Sequence, residues 1–312
     1  MLSRSLIFLV IALGQSQAQT VFHSLLPAPR GLRLSDHLLV HWNPDAIEAF
    51  DRDGRRVLGI NVPKLLPSAK KISIDDIAVR RDRLLAVAAV TREKDDRTQA
   101  WLLYVGWDGE LVRAVELDAS KEIGWLEFDE AGDLWALTDY LGRKVQKDTI
   151  EAGIPCPLGP LIQVYDAEGK VVKSLLKQAD FPEGLQESPT KGQVTFGLTG
   201  DKVWFWQPFR HRMIITDRYG RRVQKISIPL APTWNMGGSS LLLPSGEVLA
   251  DVWSPTPSVR GMYLARAQSF KKWAQPDDAR LIGMDGSELV FVSKSSTGPS
   301  DFLIARRPLS PL

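Results

Sequence analysis

A short phrase recurs along the chain: an apolar run, a turn written Asp-x-x-Gly, and a second apolar run. It reads Ala49-Phe50-Asp51-Arg52-Asp53-Gly54-Arg55-Arg56-Val57, then Val164-Tyr165-Asp166-Ala167-Glu168-Gly169-Lys170-Val171-Val172. It returns as Ile215-Thr216-Asp217-Arg218-Tyr219-Gly220-Arg221-Arg222-Val223, and in contracted form as Val105-Gly106-Trp107-Asp108-Gly109-Glu110-Leu111-Val112. Asp bonds the backbone two residues on, and Gly takes a positive φ without strain. The flanking β-branched and aromatic residues suit a pleated, packed strand. Each copy is therefore read as a β-hairpin. Gly54, Gly109, Gly169 and Gly220 lie 55, 60 and 51 residues apart. Those intervals suit one such hairpin per propeller blade.

A second set of hairpins alternates with the first. Its members span 32–42, 74–90, 126–137, 195–206, 241–253 and 281–292. Their strands are almost continuously apolar, as in Leu84-Leu85-Ala86-Val87-Ala88-Ala89-Val90. Strands buried on both faces read this way. One inner and one outer hairpin make a unit of four strands, A to D. The last unit has strands A, B and C, the third through Phe302-Leu303-Ile304-Ala305, and the chain then stops. A spare strand, Thr20-Val21-Phe22-His23-Ser24-Leu25-Leu26, stands at the other end. It is expected to complete the last blade and remove an open sheet edge. Taking 18 residues from 312 leaves 294, or 49 for each of six blades. The expected fold is all-β: one six-bladed β-propeller over residues 19–312, its last blade closed by the N-terminal strand.

In the apolar–Asp-x-x-Gly–apolar phrase the chain resembles the NHL-like six-bladed propellers, over nearly all of its length. The resemblance implies the fold. It names no reaction, since one fold hosts many unrelated functions.

Residues 1–18 read as a secretory signal peptide. Arg4 gives the positive start, Leu6 to Leu13 is an apolar run, and Ser16-Gln17-Ala18 is a small-x-small cleavage site. The run is too short to span a bilayer, which needs about 20 apolar residues. Cys156 is the single cysteine, so no internal disulfide can staple the fold. There is no Asn-x-Ser/Thr site. A bacterial periplasm or exterior is the expected location, and a monomer the expected state. Basic and acidic residues number 39 and 37, a balance that gives no field for gathering nucleic acid. The basic pairs fall in different blades, so no nucleic-acid partner is expected.

In such a ring the B–C and D–A connections share one face, where ligands are expected. Trp42, Arg92, Asp139, Tyr140, Trp206, Arg210, Trp234, Asn235 and Trp253 fall near it and form the candidate ligand surface. Aromatic rings there can stack on a protein, peptide or carbohydrate ligand, or pack between blades. The longest loop, 140–160, carries Cys156 and could cover the mouth. The histidines show no zinc-ligand spacing. No cofactor is expected. If a divalent cation such as Ca²⁺ or Zn²⁺ binds, Asp75, Asp76, Glu122 and Asn235 are its candidate ligands. Lactonase-type propellers hold a cation with carboxylate and amide side chains of inner strands. The contexts of these four residues do not reproduce that pattern. The leading expectation is an exported, non-catalytic binding or scaffold protein. The alternative is a metal-dependent hydrolase, lactonase or lyase.

Overall fold

A computed structural model of the chain describes residues 19–26, 31–117, 122–139, 160, 162–176, 195–207, 211–221, 224–229, 235–236, 240–253, 260–266, 269–273, 279–296, 298 and 301–309. These residues form six antiparallel sheets and a single 3₁₀ turn at Val62–Lys64. Strand β1 is Gln19–Phe22. Blade I holds β2 (Gly31–Ser35), β3 (Leu38–Trp42), β4 (Ala46–Phe50) and β5 (Arg56–Asn61). Blade II holds β6 (Lys71–Arg80), β7 (Leu84–Arg92), β8 (Thr98–Gly106) and β9 (Leu111–Leu117). Blade III holds β10 (Glu122–Phe128), β11 (Leu134–Asp139), β12 (Ile162–Tyr165) and β13 (Val171–Leu175). Blade IV holds β14 (Thr195–Thr199), β15 (Lys202–Gln207), β16 (Arg212–Asp217) and β17 (Gln224–Ser227). In blade V the inner strand comes in two pieces, β18 (Asn235–Met236) and β19 (Leu241–Leu242), both paired to β20 (Val248–Trp253). Strands β21 (Arg260–Arg266) and β22 (Ser269–Trp273) complete it. Blade VI is β23 (Arg280–Asp285), β24 (Glu288–Lys294), β25 (Phe302–Pro308) and, as its outermost strand, β1.

The molecule is therefore a six-bladed β-propeller closed by its own N-terminal strand. Gln19, Thr20, Val21 and Phe22 pair with Ala305, Ile304, Leu303 and Phe302. The closing strand is shorter than the expected 20–26, because the chain leaves the ladder after Phe22 for other partners. The Ser24 hydroxyl donates to Glu48 at 2.8 Å, and the Leu25 N–H donates to the same carboxylate at 3.3 Å.

The core sits between blades. Six apolar clusters fill the six junctions, one for each neighbouring pair. At the closing junction Phe22 stacks on Phe302 with ring centres 5.5 Å apart and meets Phe50 edge-on at 5.7 Å. Inner strands of successive blades pack around the axis, β2 against β23 and β6, and β10 against β6 and β14. The A–B and C–D turns share one face, called here the turn face. The B–C and D–A connections share the opposite, loop face.

Candidate ligand site in the channel

A cavity of about 570 Å³ occupies the axial channel and opens on the turn face. Every blade contributes to its wall: Arg33, Val79, Glu127, Leu198, Leu241 and Ile282 come from blades I to VI in order. Small-molecule sites commonly have this size, and this wall combines apolar side chains with charged ones such as Arg33, Arg80, Glu127 and Asp129. The wall is built by the inner strands, whose side chains alternate between the junctions and the channel. β-bulges interrupt three of these strands, between Ile74 and Asp76, between Ile123 and Trp125, and between Leu281 and Gly283. A bulge re-aims the residues beside it, a device common next to binding sites.

A charged belt crosses the first three blades. The Arg33 guanidinium, 7% exposed, donates to the Asp76 carboxylate, which is 3% exposed. Its other terminal nitrogen lies 3.8 Å from Glu127, too far for a hydrogen bond. The guanidinium plane sits over the Trp125 ring, 4.8 Å from its centre. Asp76 also accepts the Leu126 N–H at 2.6 Å, and so ties blade II to blade III. Glu127 accepts the Leu198 N–H of blade IV.

Burial disfavours the charged form of each carboxyl. It pushes Asp76 up to about 6, with Arg33 pulling the other way. Glu127 is pushed up to about 7, again by burial against the counter-pull of Arg33. Its side chain is 30% exposed, yet that surface faces a cavity walled by protein. Around the mouth, Arg80 grips Asp82 with two bonds of 2.7 Å, and Arg218 holds Asp129 at 2.9 Å.

Of the residues singled out by sequence, Asp76 belongs to the belt, while the candidate ligand surface sits at the other end of the ring or outside the described residues. Trp42 is 5% exposed, and its ring fills the space a side chain at Gly31 would need. Trp206 is fully buried in the junction of blades IV and V, its indole N–H without a partner among the described residues. Both rings pack between blades and present almost no surface to a ligand. Arg92 is exposed and pairs with Asp96 at 3.1 Å. By backbone register Glu122 lies opposite Asp139, and Asn235 opposite Trp253, at the loop-face ends of blades III and V. Tyr140, Arg210, Trp234, Cys156 and the loop 140–160 apart from Pro160 lie outside the described residues.

Among the candidate cation ligands, Asp76 is already engaged by Arg33 and the Leu126 N–H. Among the described residues no group of three His, Cys, Asp or Glu side chains could hold a metal ion. Asp76 therefore does not fit the role of an open cation ligand, and no chemical step is derived through a metal.

Arg33, Trp125, Glu127 and Trp204 escaped the sequence reading. A signal was present: Arg33 and Glu127 are charges, and Asp75-Asp76 an adjacent pair of charges, inside inner strands that are otherwise largely apolar. Such a charge must meet a partner or the channel.

Fold and cavity together define the class: a six-bladed propeller with a polar belt in its channel. No family model and no curated protein matches the chain. Among solved structures it is similar to a candidate exported protein from Bacteroides fragilis, at 9% identity and a TM-score of 0.52, over 94% of each chain. Regucalcin, a calcium-binding protein from Agrobacterium tumefaciens, is 14% identical over 95% of this chain and 98% of that one, with a TM-score of 0.48. A catalytically inactive virginiamycin B lyase from Staphylococcus aureus is 11% identical over 92% and 98%, with a TM-score of 0.47. At these identities the likeness concerns the fold alone. The six-bladed fold that the resemblance to NHL-like propellers implied is present.

Proposed function

We propose that this protein is exported to a bacterial periplasm or beyond and there binds a small molecule in the turn-face cavity, without transforming it. The observation that carries the reading is the cavity itself: about 570 Å³, walled by all six blades, with a built charge belt at one side. Binding remains the leading function, as the sequence suggested, but its seat moves from the loop-face tryptophans to the channel. Export rests on the signal-like segment 1–18, and cleavage after Ala18 leaves the whole of β1 on the mature chain.

The test is native mass spectrometry of the protein recovered from its own cell envelope. Wild type should carry a stoichiometric small molecule and begin at Gln19. Met284→Trp, which fills the channel from blade VI, should lose that molecule and keep the melting temperature of ligand-free wild type. Retention of the molecule by a folded Met284→Trp variant would refute the cavity as its seat.

A further inference from the structure

We propose that the cavity takes an organic cation with an apolar or aromatic body, its ammonium or guanidinium group seated on the Glu127 carboxylate. The inference rests on the reading of the cavity as a binding site and names the ligand class for it.

The belt holds one positive group, Arg33, and two carboxyl groups, Asp76 and Glu127. Asp76 takes the guanidinium and the Leu126 N–H. Glu127 has the Leu198 N–H and a guanidinium nitrogen 3.8 Å away. An ionised carboxylate has about four acceptor positions, so Glu127 keeps capacity that faces the cavity. The belt is one positive charge short of neutrality when both carboxyls are ionised. A desolvated carboxylate gains most from a paired, hydrogen-bonded cation.

The rest of the wall fits the other end of such a ligand. Leu34, Leu198, Leu241, Ile282 and Met284 line the cavity with apolar surface. An anion would have to displace a carboxylate from Arg33, which is buried and held from two sides, by Asp76 and by the Trp125 ring, or from Arg80, Arg81 or His37, which face Asp82, Asp36 and Asp285. The groups that set the charge on Glu127 are Arg33, Asp76 and Arg218. Cation binding should favour its ionised form and release a proton near neutral pH.

The experiment compares three probes of one shape on the mature chain by calorimetry: phenethylamine, 2-phenylethanol and 3-phenylpropionate. Phenethylamine should bind at least about tenfold tighter than the alcohol, or about 1.4 kcal/mol, and the carboxylate should bind weakest. Its affinity should fall up to about tenfold per pH unit below pH 7 and level off above pH 8. Glu127→Gln should lose the preference for the amine and the pH dependence while still binding the alcohol. The wild-type ranking stands as a test even if that variant folds poorly. Equal or tighter binding of the alcohol or carboxylate, blocked by Met284→Trp, overturns the ligand class and leaves the cavity reading intact. Binding of none of the three at millimolar concentration overturns both.

Discussion

Gly54, Gly109, Gly169 and Gly220 close four C–D turns with φ between 76° and 84°. The same glycines touch the outer strand of the preceding blade. A side chain at Gly169 would meet Val115 at 2.5 Å, and one at Gly220 would meet Leu175 at 2.9 Å. Gly200 also has a positive φ, of 59°, but has open space around it. Gly169→Ala should therefore cost about 2–3 kcal/mol and Gly200→Ala only about 1 kcal/mol in denaturant titrations. Equal costs would mean that backbone strain alone fixes the glycines. The belt gives a second prediction. Asp76→Asn removes one partner of a buried ion pair and should cost about 3–5 kcal/mol. Titration adds a third, with two limbs of opposite sign. Glu127 holds its proton more tightly in the folded chain than in the unfolded one, moving from 4.5 to about 7. Its contribution to stability is thus lost as pH rises through that window. Burial lowers His41 from 6.5 to about 4, against the pull of Glu48, so its contribution is lost as pH falls through that window. Melting curves of Glu127→Gln should lessen the loss of stability as pH rises from 4.5 to about 7, and those of His41→Phe the loss as pH falls from 6.5 to about 4.

β1 is the element on which the ring depends. Phe22 is 1% exposed at the closing junction, and Gly54 packs against Thr20 and Val21 as the other turn glycines pack against their preceding blades. The closing strand thus reproduces an ordinary blade contact. Beyond it, Ser24 accepts the Leu26 N–H at 3.0 Å, donates to Glu48 at 2.8 Å and meets His41 Nδ1 at 3.0 Å. With the hydroxyl proton given to Glu48, the bonds balance when Nδ1 carries the His41 proton. Phe22→Ala should cost about 3–5 kcal/mol, as a large-to-small change in a full core. A melting temperature unchanged by deletion of 19–26 would refute the closure. This strand was legible in the sequence because a last unit short of one strand and a first segment without partners require each other. The turns were legible because Asp and Gly have local reasons to sit where they do. Arg33 and Glu127 were not recognised, since their pairing joins blades I to IV and depends on the axial arrangement of separate inner strands. Trp42 and Trp206 looked like rim groups because they end strands in the sequence, whereas the approach of neighbouring blades buries them.

Taken whole, the propeller has two unlike ends. Among the described residues, the loop face carries the strand ends at Trp42, Arg92, Asp139 and Trp253. The turn face carries short turns, paired charges and the mouth of the cavity. Binding in the channel would report on the inner tryptophans, Trp125 and Trp204, both of which line the cavity. The chain has ten tryptophans, and each indole N–H gives its own resonance in a proton–nitrogen spectrum. Assigned one by one through Trp→Phe variants, these signals locate a ligand on the ring. The deciding measurement is that spectrum before and after adding the small molecule recovered with the protein from its envelope. Shifts at Trp125 and Trp204, with Trp253 unmoved, are the predicted result. Shifts at Trp253, at the loop-face end of blade V, with Trp125 and Trp204 unmoved, would contradict the channel site and return the function to the loop face.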